Sequence, residues 1–440
     1  MFNEFDALVI GAGAGGMSTA ARLAKEDYRV LVVESLDRVG GRASTRGVDG
    51  FLLNTGGFAI ERGGMVDQTR SDIGLPLEMF VPSIETVLLW GEKQIKLSSG
   101  ITSIARNTVP RLLRVLTKLV PYFRPKPGEM VTEWLNRFTK NRNIHQLIDN
   151  VNCSFFAATN HELHADVFLH YISVGSSFKK IGFIPGGTIE VWKPMGEFVK
   201  KKGGEVWLNS KVVGFSYNGD GSINGAVINQ GENEVKIRCK LVVSNAGPLA
   251  TAKIAGANNL PAGYYDDVVA KTDPAAIITI HFASQKDICP FPGLAVGALT
   301  PQLSYCANFS APELGRCPPG WNLYIAACSP RPSTRGDFDL DKEVELLKAD
   351  IRTIFKGFDE HAEILDVDVT AGLEWPAQRA ITGYDLPIET PIKNLWNVGD
   401  GVKPWGDAGT ASCAETGRLA VNQILEKYPL SSLRAEVSSL

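Results

Sequence analysis

The sequence has no long apolar run, no excess of either charge and no paired-cysteine motif, and each absence argues against a class of protein. No stretch approaches the roughly 20 apolar residues that a transmembrane helix requires. Lys and Arg number 45 and Asp and Glu 48, so the net charge of −3 gives no general basic surface for nucleic acid. The seven cysteines are scattered without a C-x-x-C, which favours a reduced compartment over a zinc ribbon or a disulfide framework.

The beginning of the chain and its length also set expectations. The opening residues, MFNEFD, include no basic segment, so we expect no signal peptide and a cytoplasmic location. A chain of 440 residues is longer than one hydrophobic core usually serves, and we therefore expect two packed domains. The 44 glycines are slightly numerous, and their positions carry the main information.

The first group of glycines lies between a predicted strand and a predicted helix. Residues 7–10 form a short apolar run, typical of a parallel strand buried on both faces, and lead into Gly11-x-Gly13-x-x-Gly16. Glycines at this spacing allow a tight turn, the approach of backbone to a pyrophosphate, and close packing of helix on strand. The pattern therefore predicts the phosphate turn of a dinucleotide site.

Two further features strengthen this prediction. The helix that follows presents N–H groups and the positive end of its dipole to phosphates, and its first turn contains Ala14 and Gly15. A second apolar strand over residues 30–33 ends at Glu34, where a carboxylate can accept from a ribose hydroxyl. The negative charge of Glu34 disfavours the 2′-phosphate of NADP.

The residues after this strand place glycine beside charge again. Residues 34–42, ESLDRVGGR, match the pattern E-x-x-x-R-x-G-G-R and resemble the FAD-dependent amine oxidase and phytoene desaturase superfamily. The glycines permit another close backbone approach, and the last arginine supplies a fixed cation near the phosphates. Arg38 either does the same or is a solvated charge. The motif assigns these residues to the cofactor: Glu34, Ser35, Arg38, Gly40, Gly41 and Arg42.

The resemblance extends through nearly the whole chain and implies a fold and a cofactor. The fold is α/β, with a Rossmann-like FAD-binding domain of the GR2 flavoprotein type and an interleaved α+β substrate domain. The implied cofactor is FAD. The FAD-binding domain is predicted over residues 1–75, 183–260 and 390–428. The substrate domain is predicted over residues 76–182 and 261–389, with a flexible tail at 429–440.

Later segments resemble other parts of the superfamily that approach FAD. After a P-x-G-G…G-G stretch at residues 184–206, a strand of the superfamily reaches the adenine by its backbone, here at Val212. Residues 241–246 resemble the strand that returns to the FAD domain, and they include Asn245.

Residues 394–419 resemble the C-terminal signature of the superfamily. By this resemblance Asp400 bonds the ribityl chain, and a helix beginning near Thr410 points its N-terminus at the flavin ring. The signature assigns these residues to the cofactor: Gly399, Asp400, Gly409, Thr410 and Ala411.

The chain departs from carotenoid desaturases at two motifs. Residues 403–410, KPWGDAGT, include an aromatic side chain and two charges where the desaturases have a G-G-G-x-P-G turn. Residues 53–58 have neither the acid nor the histidine of the desaturase D-x-G-x-H segment. These departures argue against a carotene substrate but leave the flavin prediction in place.

The substrate site has weaker sequence signals. In the superfamily the segment before the C-terminal signature approaches the flavin ring, so Trp375 and Tyr384 are predicted to stack on a planar substrate. Arg379 is predicted to hold an anion or to stabilise a polarised intermediate. The alternative is a packing loop with surface charges.

Three other features each allow two interpretations. The apolar and basic segment 110–124 predicts either a cover for the substrate pocket, which we favour, or peripheral contact with a membrane. Histidines in residues 161–170 suggest metal ligands, but an exposed polar helix explains them better, and no metal site is predicted. Cys413, close to the flavin helix, is interpreted as a buried thiol and not as a covalent flavin attachment.

These observations predict an FAD oxidoreductase that transfers hydride between a C–H of a lipophilic small molecule and flavin N5, by desaturation or by saturation. Amine oxidation at a C–N bond is the first alternative, which makes the expected partner a small lipophilic or amine substrate. Polyene isomerisation is the second. The third is non-enzymatic prenyl binding, as in Rab GDP-dissociation inhibitors, which resemble the superfamily.

Overall fold

The computed structural model describes residues 3–91, 93–96, 108, 112–113, 115–174, 180–334, 337–371 and 385–435. The described strands are β1 (Asn3–Ile10), β2 (Val30–Val33), β3 (Thr45–Val48), β4 (Phe51–Asn54), β5 (Ala59–Glu61), β6 (Thr86–Trp90), β7 (Lys93–Lys96), β8 (Ile181–Phe183), β9 (Glu205–Trp207), β10 (Ser210–Tyr217), β11 (Ile223–Gln230), β12 (Asn233–Ser244), β13 (Ile277–Ser284), β14 (Leu294–Gly297), β15 (Tyr305–Asn308), β16 (Asn322–Cys328), β17 (Ala362–Thr370) and β18 (Leu395–Asn397). The α-helices are α1 (Ala14–Lys25), α2 (Met65–Asp72), α3 (Val131–Asn136), α4 (Arg142–Phe156), α5 (Ala165–Val174), α6 (Ile189–Lys201), α7 (Pro248–Ala255), α8 (Tyr264–Lys271), α9 (Leu340–Ile354), α10 (Phe358–His361), α11 (Gly409–Lys427) and α12 (Leu430–Ala435).

The first seven-stranded sheet has the order β10-β11-β12-β1-β2-β9, with β18 also paired to β12. Its centre is parallel, because β1 pairs in parallel with β2 and β12, and β18 joins β12 in the same sense. Alternate residues of β1 are buried on opposite faces: Ala7 and Val9 pack in the cluster with α1, α6 and α11, and Leu8 packs with β10 and β11. Residues 7–10 of β1 are therefore continuously apolar, as predicted.

The second seven-stranded sheet has the order β17-β13-β16-β15-β14-β6-β7 and is antiparallel except where β14 meets β6. One face is covered by α9, whose Leu347 and Ile351 pack with Ile280 of β13. The other face packs against the hairpin of β3 and β4 through a cluster that includes Leu53 and Ile325. This second face of the sheet therefore lies next to the chain segment that follows Gly40 and Gly41.

The helix predicted to begin near Thr410 is α11. The tail predicted to be flexible from residue 429 instead forms α12, as far as residue 435. Leu433 of α12 is 6% exposed, and Arg434 donates to the Asp27 carbonyl at 2.9 Å. The tail was misjudged because one buried leucine and one arginine contact fix it. The boundaries of the interleaved domains stay a prediction.

Across the described parts of the chain, no helix is both long enough and apolar enough to cross a membrane.

Candidate functional site

The first glycine turn is packed so closely that larger residues do not fit. Gly11 has φ +85° and donates from its N–H to the Val33 carbonyl at 2.8 Å. A Cβ on Gly16 would lie 2.0 Å from the Gly11 carbonyl oxygen, and a Cβ on Gly15 would lie 2.8 Å from the Gly399 nitrogen. The turn at the start of α1 therefore touches the C-terminal signature directly.

The start of α1 is available to an anion. Its N-cap is Gly13 in extended backbone, and no side chain of the described residues caps it. The first turn contains no acidic residue, so the positive end of the dipole is not neutralised from within the helix. Ala14, Gly15 and Gly16 lie at this end, as predicted.

Asn245 connects the glycine turn to the C-terminal signature. A Cβ on Gly13 would lie 2.5 Å from its Nδ2, and a Cβ on Gly399 would lie 2.3 Å from its Oδ1. The Asn245 backbone N–H donates to the Ile10 carbonyl at 2.7 Å, which fixes the residue beyond the end of β1. The glycines on either side are thus small partly because this amide lies between them.

Glu34 lies at the end of β2 with 5% of its surface exposed. Its carboxylate accepts from the Ala12 N–H at 2.6 Å and from the Leu36 N–H at 2.9 Å, and Ser35 donates its hydroxyl at 3.3 Å. A carboxylate has about four lone-pair positions, and these three donors leave about one of them for a ribose hydroxyl. The Glu34 carbonyl accepts from Ser210 N–H at 2.8 Å, which places the start of β10, and Val212 within it, beside the end of β2.

The second glycine turn packs on the first. Gly40 donates from its N–H to the Ala12 carbonyl at 2.8 Å and has φ +99°, which favours glycine. A Cβ on Gly40 would lie 2.4 Å from Trp192 Cδ1, whereas a Cβ on Gly41 would lie 3.6 Å from the Gly13 Cα. Arg38 pairs with Asp37 at 3.0 Å.

The arginine of the same motif contacts the far end of the chain. Arg42 donates from Nη2 to Asp400 Oδ2 at 2.9 Å, although 358 residues separate them in sequence. Burial acts to lower the pKa of Arg42, but the charge and hydrogen bond of Asp400, together with Cys413, raise this pKa overall. This ion pair joins the two motifs that the resemblance assigned to FAD.

The C-terminal signature ends in a second helix start without a capping side chain among the described residues. Gly399 donates from its N–H to Thr416 Oγ1 at 2.7 Å, which ties the G-D-G turn to α11. Ala408 is the extended N-cap of α11, and Gly409 follows with φ +89°. Thr410 and Ala411 form the first turn, where the positive end of the dipole lies.

These features together fit FAD. The cradle contains two uncapped helix starts, backbone kept bare by glycine, one carboxylate at the ribose position and one arginine. A Cβ at Gly15 or Gly16 would close it by clashing with backbone atoms. Such a donor set matches a pyrophosphate flanked by a ribose at one end and a polar ring edge at the other.

Aromatic side chains lie beside the start of α11. A Cβ on Gly57 would lie 3.5 Å from Thr410 Cγ2, and Phe58 follows directly. The Phe58 ring centroid is 5.7 Å from that of Tyr305 and 5.4 Å from that of Phe309. Phe183 completes this aromatic cluster at 5.2 Å from Phe309. We call these four residues the aromatic wall.

The predicted substrate residues Trp375, Arg379 and Tyr384 lie outside the described residues. The segment 161–170, which was considered as a source of metal ligands, lies among the described residues. Glu162 accepts hydrogen bonds from Ser333 and Thr334, so its role is to hold a loop. His170 lies 4.6 Å from Trp405 between ring centroids.

Sequence reasoning missed two charged groups. Lys403 is buried with Asp385 and Asp400, and its only signal was that charges replace a glycine-rich turn. The second group is on the second sheet, where ring and carboxylate atoms of His281, Asp366 and Asp368 lie within 4.8 Å of one another. Arg46 pairs with both aspartates, so their charge is already partly compensated. No sequence spacing indicated this second group, because His281 lies in β13 and the two aspartates lie in β17.

Comparison with known proteins agrees with this architecture. The family described as an NAD(P)-binding Rossmann-like domain matches residues 9–68. An uncharacterized protein of Methanocaldococcus jannaschii is 23% identical over 94% of this chain and 98% of its own length. Human all-trans-retinol 13,14-reductase is 25% identical over 56% of this chain and 47% of its own. A phytoene desaturase (neurosporene-forming) of Rhodobacter capsulatus is 24% identical over 54% and 52%.

Solved structures share the fold over the whole chain. An oxidoreductase from Methanosarcina mazei has a TM-score of 0.79 at 22% identity and covers 94% of this chain and 99% of that one. A putrescine oxidase has a TM-score of 0.71 at 16% identity, with 96% and 99% covered. The matches to the reductase and the desaturase span only about half of those proteins.

The fold and the site define the class of protein to which this chain is similar. The predicted fold class, with its Rossmann-like domain, is confirmed. The predicted resemblance to the amine oxidase and phytoene desaturase superfamily is confirmed as well, since the similar proteins include a retinol reductase, a phytoene desaturase and amine oxidases, all of them oxidoreductases. The matched Rossmann-like domain is of the type that binds a dinucleotide, as the prediction of FAD requires.

Proposed function

We propose that FAD binds along the two glycine turns, Glu34, the Arg42–Asp400 pair and the start of α11. The observation that carries this proposal is the convergence at Asn245, where glycines from both ends of the chain meet one amide. Glu34 holds the ribose, the start of α1 and Arg42 hold the phosphates, and Asp400 orients the ribityl chain.

We propose further that the reaction exchanges hydride with a carbon atom of a lipophilic molecule. Bound FAD supplies a two-electron acceptor at its flavin ring. Tyr305, the half-buried member of the aromatic wall, would contact the apolar body of the substrate. Phe58, Phe183 and Phe309 are buried behind it and would support it and exclude water. The protein would orient the reacting carbon for this hydride exchange. A desaturation also releases one proton from the neighbouring carbon and a saturation takes one up, and this proton is exchanged with solvent.

One observation favours a neutral substrate over an amine. The Arg316 guanidinium lies 4.3 Å from the centroid of Phe309, in the aromatic wall. Burial lowers the pKa of Arg316 to about 9, so it keeps its positive charge at neutral pH. A protonated amine near this wall would be repelled, whereas a hydrocarbon or an anionic lipid would not.

Reconstitution with FAD tests the cofactor site. Gly13→Ala, whose Cβ would meet Asn245 Nδ2, is expected to weaken FAD binding at least 100-fold. Gly214→Ala is the matched control, because a Cβ there has nothing within 4 Å and FAD binding should not change. The proposed site would be contradicted if the wild-type chain could not be reconstituted with FAD, or if both variants bound FAD with equal affinity.

Anaerobic titration tests the reaction. Lipophilic alkanes, alkenes and cyclic ketones should bleach the flavin absorbance or, after chemical reduction, restore it, while primary amines should do neither. Bleaching by amines alone would establish amine oxidation instead. Double-bond migration without net bleaching would establish isomerisation.

We also propose that the segment 112–124 contacts a lipid surface. Leu119 is 75% exposed, Tyr122 58% and Leu112 54%, and this outward apolar surface supports lipid contact over the pocket cover. Lys118 and Arg124 flank these apolar side chains and suit anionic headgroups. Flotation with anionic liposomes should be reduced by Leu119→Glu and unchanged by Val213→Glu, on another exposed surface; equal flotation of both variants would refute the contact.

A further inference from the structure

The turn in which the chain departs from carotenoid desaturases contains a buried lysine held between two carboxylates. Lys403 Nζ lies 2.9 Å from Asp385 Oδ1 and 2.9 Å from Asp400 Oδ1, and it also bonds the Asp400 carbonyl oxygen. Only 2% of its side chain is exposed, and 1% of that of Asp385. A lysine so buried requires compensating charge, and the two aspartates provide it.

Asp400 is the shared member of a chain of ion pairs. Its Oδ1 accepts from Lys403, and its Oδ2 accepts from Arg42 at 2.9 Å. Both carboxylate oxygens are therefore fixed from opposite sides. Two cations and two anions make the group neutral as a whole.

Exposure gives this group a closed end and an open end. The side chains of Asp385 and Lys403 are almost completely buried, whereas 20% of Asp400 and 37% of Arg42 are exposed. The open end is the one that belongs to the proposed FAD cradle. Lys403 therefore reaches the cofactor site through Asp400 and not by its own surface.

We infer that Lys403 is a positioning residue for FAD, which holds the Asp400 carboxylate in the orientation that binds the cofactor. This inference rests on the proposed FAD site and adds to it a residue that lies behind the cradle. Without Lys403, the Asp400 carboxylate would lose the contact that fixes Oδ1, while Arg42 would still hold Oδ2.

The competing role for Lys403 is purely structural, as a counter-charge for buried Asp385. The two roles predict different outcomes for charge-balanced variants. Lys403→Met leaves Asp385 buried without its cation, but Lys403→Met combined with Asp385→Asn removes both charges together. A structural role requires the double variant to regain stability and FAD affinity together.

The experiment measures FAD dissociation constants by fluorescence on the apoprotein, with melting temperatures in parallel. We expect Lys403→Met to weaken FAD binding at least tenfold, and the double variant with Asp385→Asn to regain the melting temperature but not the affinity. In an Asp400→Asn background, Lys403→Met should change affinity less than threefold, because the group it positions is altered. Lys271→Met, which breaks an exposed pair with Asp267, is the matched control and should leave both quantities unchanged.

Several outcomes would overturn the inference while leaving the FAD site intact. Wild-type affinity in the double variant would make Lys403 a counter-charge only, and an equal loss in the Asp400→Asn background would separate the two residues. Should Lys403→Met alone fail to fold, the double variant still decides. A wild-type chain that takes up no FAD would instead refute the proposed function itself.

Discussion

The proposed cofactor side and the proposed substrate side of the site meet at Gly57 and Thr410, and they are built by different means. On the cofactor side the backbone itself approaches the ligand, so Gly11, Gly15 and Gly16 are fixed by contacts with other backbone atoms. On the substrate side the surface consists of aromatic side chains from β8, β15 and two loops. A backbone cradle needs glycine at set spacings, while an aromatic wall needs only apolar residues from any part of the chain.

The largest effect on the cofactor side is expected when a methyl group is added to the first glycine turn. We expect Gly16→Ala to yield no folded, FAD-containing protein, because its Cβ would lie 2.0 Å from the Gly11 carbonyl oxygen. Neither atom belongs to a flexible side chain, so the strain has no local relief. Flavin absorbance and melting temperature would show the loss.

Gly214→Ala provides the control for that result. Gly214 lies in β10 with nothing within 4 Å of its Cβ position, so only a small change in stability is expected. A folded Gly16→Ala protein with wild-type flavin content would mean that close backbone contact is not what fixes the turn.

The same contrast determines what the sequence could predict. The strand, glycine turn and helix of residues 3–25 and the G-D-G turn were identified because their residues are local and their spacing has one physical meaning. Lys403, His281 and Phe58 were not assigned roles. Their partners Asp385, Asp366 and Tyr305 come from distant segments, so no spacing connects them. Long-range contacts between side chains decide these parts of the site.

Replacing a large side chain of the aromatic wall with a small one should affect the substrate side without affecting FAD binding on the cofactor side. Phe58→Ala is expected to cost about 4 kcal/mol of folding free energy through the cavity it leaves. FAD should still bind, because Phe58 contributes no atom to the glycine turns, while flavin bleaching by a lipophilic substrate should slow. Urea unfolding measures the first effect, and anaerobic stopped-flow the second.

If Phe58→Ala lowered FAD binding and the rate of flavin bleaching by the same factor, the cofactor side and the substrate side would form one unit. Leu347→Ala serves as the control, since Leu347 is equally buried but lies on the α9 face of the second sheet. It should lower stability by a comparable amount without a specific effect on bleaching.

The substrate side should also respond to pH through His281. Burial, opposed by Asp366 and helped by Arg316 and Arg46, lowers the pKa of His281 to about 4. Between pH 6.5 and about 4 the unfolded chain therefore binds more protons than the folded chain, and stability falls as pH falls. The expected loss from this residue is about 2 kcal/mol across that window.

Urea unfolding at several pH values would test this effect against His281→Gln. Asp368 faces the same ring and has a raised pKa, because of burial and of Asp366, so its titration acts in the opposite sense. Both proteins keep Asp368, and their difference therefore isolates His281. A parallel pH dependence in the two proteins would exclude the histidine as the cause.

The smallest effect is expected at Cys413, the one nucleophilic side chain of α11 beside the charged group of Arg42, Asp400 and Lys403. Burial and the Asp400 carboxylate together raise the pKa of the Cys413 thiol to about 12, against the lowering effects of Lys403 and Arg42. Almost no thiolate exists at neutral pH, so the thiol is a poor nucleophile and FAD should stay noncovalently bound. Acid precipitation of the holoprotein should release all flavin to the supernatant, and Cys413→Ser should alter stability by less than about 1 kcal/mol. Flavin retained in the wild-type pellet but not in that of Cys413→Ser would show instead that a side chain, and not only glycine-lined backbone, secures the cofactor.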